Sequence, residues 1–427
     1  MVEMRKPIQV SEAIERVLGY RNQGATEYVS INDCDNRRLG VNIVAEEPVP
    51  SFDKSPYDGF AFSSADTNGA GRNHPVQFKV VEHIGAGQVP VVKLKKGQAT
   101  RIMTGAKIPE GADCVAMFEI CQTYEENGQS FMTIKRQMNA GQNIIRKESE
   151  VTRGTKLVDR GKLINPGVKA LLATFGYSEV CVAKRPVVGV IATGTELLDV
   201  NEELQPGKIR NSNAYMIESQ IIRAGGECKY YGKLADEFEP SYKLIRNALN
   251  EVDMLITTGG VSVGDFDLMP AIYEKLGADV LFNKVAMRPG SVTTVANCAG
   301  KMMFGLSGNP SACYVGFELF TRPVIQQYLF NPNLFLKRIS AVLGADFPKP
   351  NPFTRFVRCY ITYDDAQIQA QLAGMDKSNV VTSLAHSTCL MILPGGTRGF
   401  QTGDEVEVLL LEDNDGQREF QHVQRRD

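Results

Sequence analysis

Histidine is scarce in this chain of 427 residues, which carries only four, at positions 74, 83, 386 and 422. They stand far apart with no H-x3-H spacing, which argues against a His-based zinc site. The nine cysteines form no C-x-x-C pair, and their odd number leaves one over in any disulfide scheme. They are expected to be reduced and mostly packed. Cys359, alternating with Val357 and Ile361 in FVRCYIT, should sit in a core. Neither sign of charge is in excess: 47 Lys and Arg against 49 Asp and Glu give a net charge of −2. No global field then draws nucleic acid or an anionic membrane, and any anion site must be local. No apolar run approaches the ~18 residues of a membrane span, and MVEMRKPIQV lacks the apolar stretch of a secretory signal. A soluble, cytoplasmic protein is expected. Internal repeats and low-complexity tracts are missing, as are G-x-x-x-x-G-K-S/T and G-x-G-x-x-G.

What is present exceeds one core, because single cores stop growing near ~250–300 residues. Ser11 is expected to cap a first helix over EAIERVL, whose Ile14, Val17 and Leu18 share a face. Short β-type runs follow from Phe78 to Arg136, with Asn127-Gly128 at a hairpin turn, so a small β domain is expected over roughly 50–140. Asn165-Pro166 opens a helix that stops at Gly176. From Pro186 to Leu329 strands and helices alternate, which predicts a mostly parallel, doubly wound sheet. Ala214, Ile217, Ile221 and Ala224, and likewise Leu244, Ile245, Ala248 and Leu249, form apolar helix faces to pack on it. Beyond Asn331 period-two patterning returns and predicts a second β domain over roughly 331–412. The fold class is multidomain α/β plus β: a central doubly wound α/β domain, an inserted β domain and a C-terminal β barrel-like domain.

Three loops follow apolar strands of the α/β region: Thr193-Gly194-Thr195-Glu196, Thr257-Thr258-Gly259-Gly260-Val261-Ser262 and Ser307-Gly308-Asn309-Pro310-Ser311. Ligands of doubly wound folds bind outside the carboxyl ends of the strands. Glycine lets the backbone approach a phosphate, and a helix from Pro310 would aim free N–H groups at an anion. Any one loop alone is an ordinary strand-to-helix turn, but three in succession predict a site for a phosphate-bearing ligand. Glu196, Asp236, Asp265 and Asp267 crowd the same loops and would repel that ligand without a divalent cation between them, so a metal such as Mg2+ is expected. Asp267 could also cap the helix at Met269-Pro270. Lys284 and Arg288, four apart in FNKVAMRPGS, should emerge on one face of a strand, able to neutralise phosphate or molybdate. Composition makes Asp58-Gly59 no more than a turn.

Taken together, SPYDGFA, RIMTGAKIPEGAD, ATGTELL, KIRNSN, ITTGGVSVGDFD, KVAMRPG and LSGNPSA resemble the molybdopterin molybdenumtransferases, or molybdenum insertases, which include bacterial MoeA and gephyrin's E domain. The match runs in order from about Ile8 to Leu411. The resemblance implies an elongated domain in two segments (1–49 and 141–180), an inserted β domain (50–140), an α/β molybdopterin-binding domain (181–330) and a C-terminal β domain (331–412), with a polar tail over 413–427. It implies a homodimer with a shared active site and, as a separate partner, a transient contact with molybdopterin adenylyltransferase. The implied reaction takes adenylated molybdopterin and molybdate, releases AMP and requires Mg2+. By motif, Asp58, Thr104, Glu196, Asp236, Asp267, Lys284 and Arg288 carry the chemistry. Of these, Glu196, Asp236 and Asp267 hold metal, and Lys284 and Arg288 meet anionic groups. Thr193, Gly194, Thr195, Ser212, Asn213, Gly259, Gly260, Val261 and Ser262 bind ligand, with Pro289, Gly290, Ser307, Gly308, Asn309, Pro310 and, in GMDKSN, Ser378.

The sequence departs from the family in three places. Tyr57-Asp58-Gly59-Phe60-Ala61 replaces M-D-G-Y-A and keeps the acid. Arg288 replaces a usual Lys, a planar fork in place of a point donor, and Ser291 replaces another. Glu148-Ser149-Glu150 replaces G-E-D, and Glu150 would reach the Asp position only with a backbone shift. A pterin-binding scaffold without turnover, tungstate in place of molybdate, and adenylyl transfer are the alternatives, and the extra β domains argue against the last.

Overall fold

The computed structural model describes residues 6–20, 24–234, 237–260, 268–364 and 367–411. The chain divides into two compact units, one of residues 1–41, 160–165 and 179–427, the other of residues 42–159 and 166–178.

In the first unit the helices are α1 (Val10–Gly19), α2 (Asn213–Arg223), α3 (Phe238–Glu251), α4 (Met269–Leu276), α5 (Pro310–Gly316) and α6 (Arg322–Tyr328). The central strands are β1 (Val187–Ala192), β2 (Glu227–Lys233), β3 (Met254–Thr258), β4 (Asp279–Phe282), β5 (Thr294–Cys298) and β6 (Lys301–Leu306). They form one sheet in the order β2-β1-β3-β6-β5-β4. The first four run parallel, and β5 and β4 close the edge antiparallel. The mostly parallel sheet read from the alternation is therefore present.

Period two divides its side chains between two cores. Val188, Val190, Met254, Ile256, Phe304 and Leu306 pack with Ile217 and Ile221 of α2 and with the 310–328 helix. Ile191, Leu255, Ala296 and Met303 pack instead with Ile245, Ala248 and Leu249 of α3 and Ile272 of α4. Helices cover both faces, which is what doubly wound means physically. From β1 the chain passes through α2 to β2 on one side, while β3 lies on the other and is followed by α4 on the opposite face. The crevice beyond β1 and β3 is thus a topological switch point, where connecting chains part and leave room for a ligand.

The first helix begins at Val10 with Gln9 as its cap, so Ser11 lies inside the helix and not at its cap. The 310–328 helix keeps its direction through a π-helical turn at Phe317–Thr321. That turn buries Glu318, which accepts from Gln220 Nε2 at 2.6 Å and pairs with Arg223.

Five later strands, β7 (Arg338–Leu343), β8 (Thr354–Asp364), β9 (Gln367–Leu372), β10 (Cys389–Leu393) and β11 (Glu405–Leu410), pair in the ring β7-β9-β8-β10-β11. Because β11 returns to β7, the ring closes as a barrel and leaves no free edge within it. Cys359 is fully buried in its core, as its alternation predicts, with the Cys389 sulfur opposite at 2.9 Å. Burial pushes the Cys114, Cys121 and Cys228 thiols up to about 12, and all nine cysteines are free.

A short strand, Met287–Arg288, joins the barrel beside β8, with Arg288 in register with Arg355. This corrects the expectation for Lys284 and Arg288. Strand β4 ends at Phe282, before Lys284, and Arg288 belongs to a different sheet. A shared apolar run was read as one strand, although the Ile8 N–H donates to the Lys284 carbonyl.

The second unit holds a six-stranded sheet in the order Cys114–Met117, Gly59–Phe62, Gln98–Ile102, Val76–Ile84, Gln129–Ile134 and Cys121–Glu126. The last two form the expected hairpin, with Asn127 at φ 50° and Gly128 at φ 72°, the left-handed pair that a two-residue turn requires. Phe60, Phe62, Phe78, Met132 and Ile134 fill its core. Asp58-Gly59 is not a turn: Gly59 opens a buried strand, and a Cβ there would stand 1.9 Å from the Ala116 carbonyl oxygen. Glu148 adopts φ 66°, a left-handed conformation that favours glycine, the residue of the G-E-D pattern at this position.

Candidate functional site

The loops after β1, β3 and β6 converge at the switch point around a cavity of about 1360 Å3. Thr193, Gly194, Thr195 and Glu196 line it with Gly259, Gly260, Ser307, Gly308, Asn309 and Pro310, and Ser212 and Asn213 add the start of α2. Backbone and side-chain bonds lock these loops to one another. The Thr193 N–H and hydroxyl both donate to the Thr258 carbonyl, at 2.9 and 3.0 Å, and the Gly259 N–H donates to Leu306 at 2.8 Å. Asn213 Nδ2 donates to the Gly308 carbonyl at 2.8 Å, tying α2 to the loop after β6.

Gly259 shows why the residue type matters. Its φ is 90°, and a Cβ there would lie 2.6 Å from Thr193 Oγ1, so a side chain would separate the first two loops. Two buried polar atoms of wall residues, Asn213 Oδ1 and Thr258 Oγ1, have no hydrogen-bond partner among the described residues. A ligand that bonds them would remove the cost of leaving buried polar atoms unpaired. Leu197, Leu268, Val292 and Val381 supply apolar wall, and Arg210 supplies positive charge. The mixture suits an extended molecule with a flat apolar part and an anionic part.

A second cavity of about 330 Å3 is lined by Arg288, Pro289, Gly290, Ser291, Arg355, Asp376, Lys377 and Ser378, among others. Val292, Ser307 and Asn309 line both cavities, so the two share a wall. Three cations face this small volume against one carboxylate, which suits a compact oxyanion. Lys284 is half-buried and lines neither cavity.

The helix that begins at Pro310 does not offer its first N–H to an anion as expected. The Ser311 N–H donates to the Ser378 carbonyl at 3.0 Å and the Ser311 hydroxyl to the Val380 carbonyl at 2.7 Å. A loop from the barrel thus caps the helix and carries Ser378, Asn379 and Val381 to the cavity walls. Sequence reading found Ser378 but missed Arg355, Asp376 and Lys377. An Arg inside the apolar alternation of TRFVRC was the available signal, since a basic residue in such a run must be either solvated or paired.

Of the carboxylates expected to hold a metal, Asp236 and Asp267 lie outside the described residues, as do Val261 and Ser262. Glu196 is exposed on the larger cavity; its carbonyl accepts from the Ile209 N–H at 2.9 Å, while its carboxylate makes no hydrogen bond or ion pair with the described residues. Among the described residues no three His, Cys, Asp or Glu side chains are grouped to hold a metal. In the second unit, Asp58 Oδ1 accepts from both the Thr104 N–H at 2.7 Å and the Thr104 hydroxyl at 2.8 Å. Those bonds, the backbone one first, hold its carboxyl below the usual carboxylate range.

Comparison with known proteins gives this geometry its family. Residues 8–176 match the model of the MoeA N-terminal region (domain I and II), 189–327 a probable molybdopterin binding domain, and 340–411 the MoeA C-terminal region (domain IV). The molybdopterin molybdenumtransferase of Bacillus subtilis (strain 168) is 56% identical over 416 residues, 97% of each chain. That of Staphylococcus aureus (strain MSSA476) is 47% identical over 420 residues, 98% of this chain and 99% of its own. A molybdopterin biosynthesis MoeA protein from Pyrococcus horikoshii has a similar solved structure, with a TM-score of 0.84 at 29% identity, covering 96% of this chain and all of its own. With all three regions matched in order and full-length relatives this similar, the chain belongs to the molybdopterin molybdenumtransferase family, transferases of molybdenum cofactor biosynthesis.

Proposed function

We propose that this enzyme inserts molybdenum into adenylated molybdopterin, taking molybdate as metal donor and releasing AMP in a Mg2+-dependent step. The observation that carries the reading is the pair of cavities with a common wall at the switch point, one long and mixed in polarity, the other small and cationic. The larger would take the adenylated pterin. Its glycine loops allow a phosphate close to the backbone, Arg210 meets the charge, and Leu197, Leu268 and Val381 pack against a flat ring system. The smaller would take molybdate, a tetrahedral dianion, through Arg288, Arg355 and Lys377. Ser307 and Asn309, on the common wall, would keep the two reactants adjacent, so that the encounter is already organised when both are bound.

Glu196 fits a hard cation, because its carboxylate lines the larger cavity without a protein partner among the described residues. With Asp236 and Asp267 it would hold Mg2+, whose charge would offset that gathering on the phosphates as the adenylate bond breaks. Asp58, kept ionised by Thr104, and Lys284 are assigned to the reaction on their motifs. The working form is taken to be a cytoplasmic homodimer, supplied with substrate by an adenylyltransferase.

The test is incubation of the full chain with adenylated molybdopterin, Mg2+ and molybdate, with AMP and metal-loaded pterin as readouts. Glu196→Ala and Asp58→Ala should keep the wild-type unfolding transition and lose at least about a hundredfold in AMP release. Normal turnover in both would sink the reading.

A further inference from the structure

Arg355 opens β8 beside Arg288 and is 9% exposed, on the wall of the smaller cavity. Two of its nitrogens are fixed. Nε donates to Asn351 Oδ1 at 2.6 Å, and NH1 donates to Asp376 Oδ2 at 2.7 Å. The third, NH2, has no hydrogen-bond partner among the described residues, and the guanidinium carbon lies 5.5 Å from the centre of the Phe347 ring. A guanidinium held at two points has already lost the rotamer freedom that binding an anion would otherwise cost.

Asp376 is itself the centre of a buried charge cluster. Its side chain is 7% exposed and lies 3.6 Å from both Lys349 Nζ and Arg358 NH2, besides its bond to Arg355. Arg358, 2% exposed, clasps the chain on either side of it. It donates from NH2 to the carbonyls of Met375 at 3.1 Å and Lys377 at 3.2 Å, and from Nε to Ser383 Oγ at 2.7 Å. The loop so held is the one that brings Lys377 and Ser378 to the smaller cavity and caps Ser311.

A carboxylate on the wall of an anion chamber would ordinarily weaken anion binding by repulsion. Here both of its oxygens are occupied by cations, so its effect passes through them. We propose that Asp376 is a positioning residue for oxyanion recognition, holding Arg355 and the 375–383 loop in the arrangement that receives a tetrahedral dianion. The inference rests on the reading of the smaller cavity given under the proposed function.

Two roles predict opposite signs. If Asp376 only reduced positive charge, its removal would tighten anion binding; if it positions Arg355, removal weakens it. Calorimetric titration of the full chain with molybdate distinguishes them, with Arg355→Ala as the benchmark. Asp376→Asn, which keeps shape and removes charge, should raise the molybdate Kd about tenfold, the worth of one charge-assisted bond. Asp376→Glu should recover part of the loss. In turnover the change should fall on the KM for molybdate and spare kcat. Equal or tighter molybdate binding by Asp376→Asn would overturn the inference and leave the chamber standing. Wild-type protein that binds adenylated molybdopterin but neither molybdate nor tungstate would overturn both. If Asp376→Asn loses its cooperative thermal transition, Asp376→Glu takes its place: it keeps the charge and displaces the carboxylate, and molybdate affinity equal to wild type there would overturn the positioning role.

Discussion

Asp58 and Thr104 lie 46 positions apart in sequence and meet through two hydrogen bonds to one carboxylate oxygen. Both donors favour the ionised form, so the folded-state pKa lies below the ordinary 3.8. The sign follows. The contribution is fully present above that ordinary value and is lost as pH falls through the lower folded one. Thr104→Ala removes the hydroxyl and keeps the backbone N–H, so the Asp58 pKa should rise only part of the way to 3.8, measurable by carboxyl NMR titration. An unmoved titration would show that the hydroxyl bond does not matter. At this scale the sequence is legible where a motif names a residue, as for Glu196, Ser307 or Asn309. It is illegible where the partner comes from far along the chain: Arg355 meets Asp376 across 21 residues, and each alone reads as an ordinary charged surface side chain.

Elements were legible where their periodicity was uninterrupted. The faces of α2 and α3 pack as their spacing predicts, because side chains three and four apart share one side of a helix. Boundaries were less so. Val10 precedes Ser11 into the first helix, and the run FNKVAMRPGS is cut between two sheets by pairing with distant strands, which no local pattern encodes. The π-helical turn at Phe317–Thr321 was equally hidden, since one extra residue in a helix leaves composition unchanged. It carries a buried carboxylate whose pKa is raised by burial, opposed chiefly by Arg223. Glu318→Ala would remove the buried carboxylate that Arg223 and Gln220 share, leaving them their bonds to Tyr314, and should destabilise the protein by about 3 kcal/mol in denaturant unfolding. Glu318→Gln keeps the shape and should cost less. Equal stability of wild type and Glu318→Ala would show that the pair contributes nothing net.

At the scale of the molecule, the class of fold followed from alternation in one region and period two in the others. The two compact units are interleaved along the chain. The second unit is made of residues 42–159 and 166–178, interrupted by six residues that belong to the first. Interleaving of that kind is set by which strands find one another: Arg38 bridges to Leu163, and Leu39 to Val182. Each unit has its own aromatic core, Phe304, Phe317 and Phe320 in one and Phe60, Phe62 and Phe78 in the other.

The wall formed by Val292, Ser307 and Asn309 has a thermodynamic corollary. On the proposed function, a pterin and an oxyanion bound together would both touch these three residues, and they would bind independently only if the wall were indifferent to both. Whatever factor the pterin imposes on the affinity for the oxyanion, the oxyanion must impose on the pterin. Molybdate titrations with and without adenylated molybdopterin, and the converse pair, should therefore return one coupling factor different from unity. Should it equal one, the wall transmits nothing.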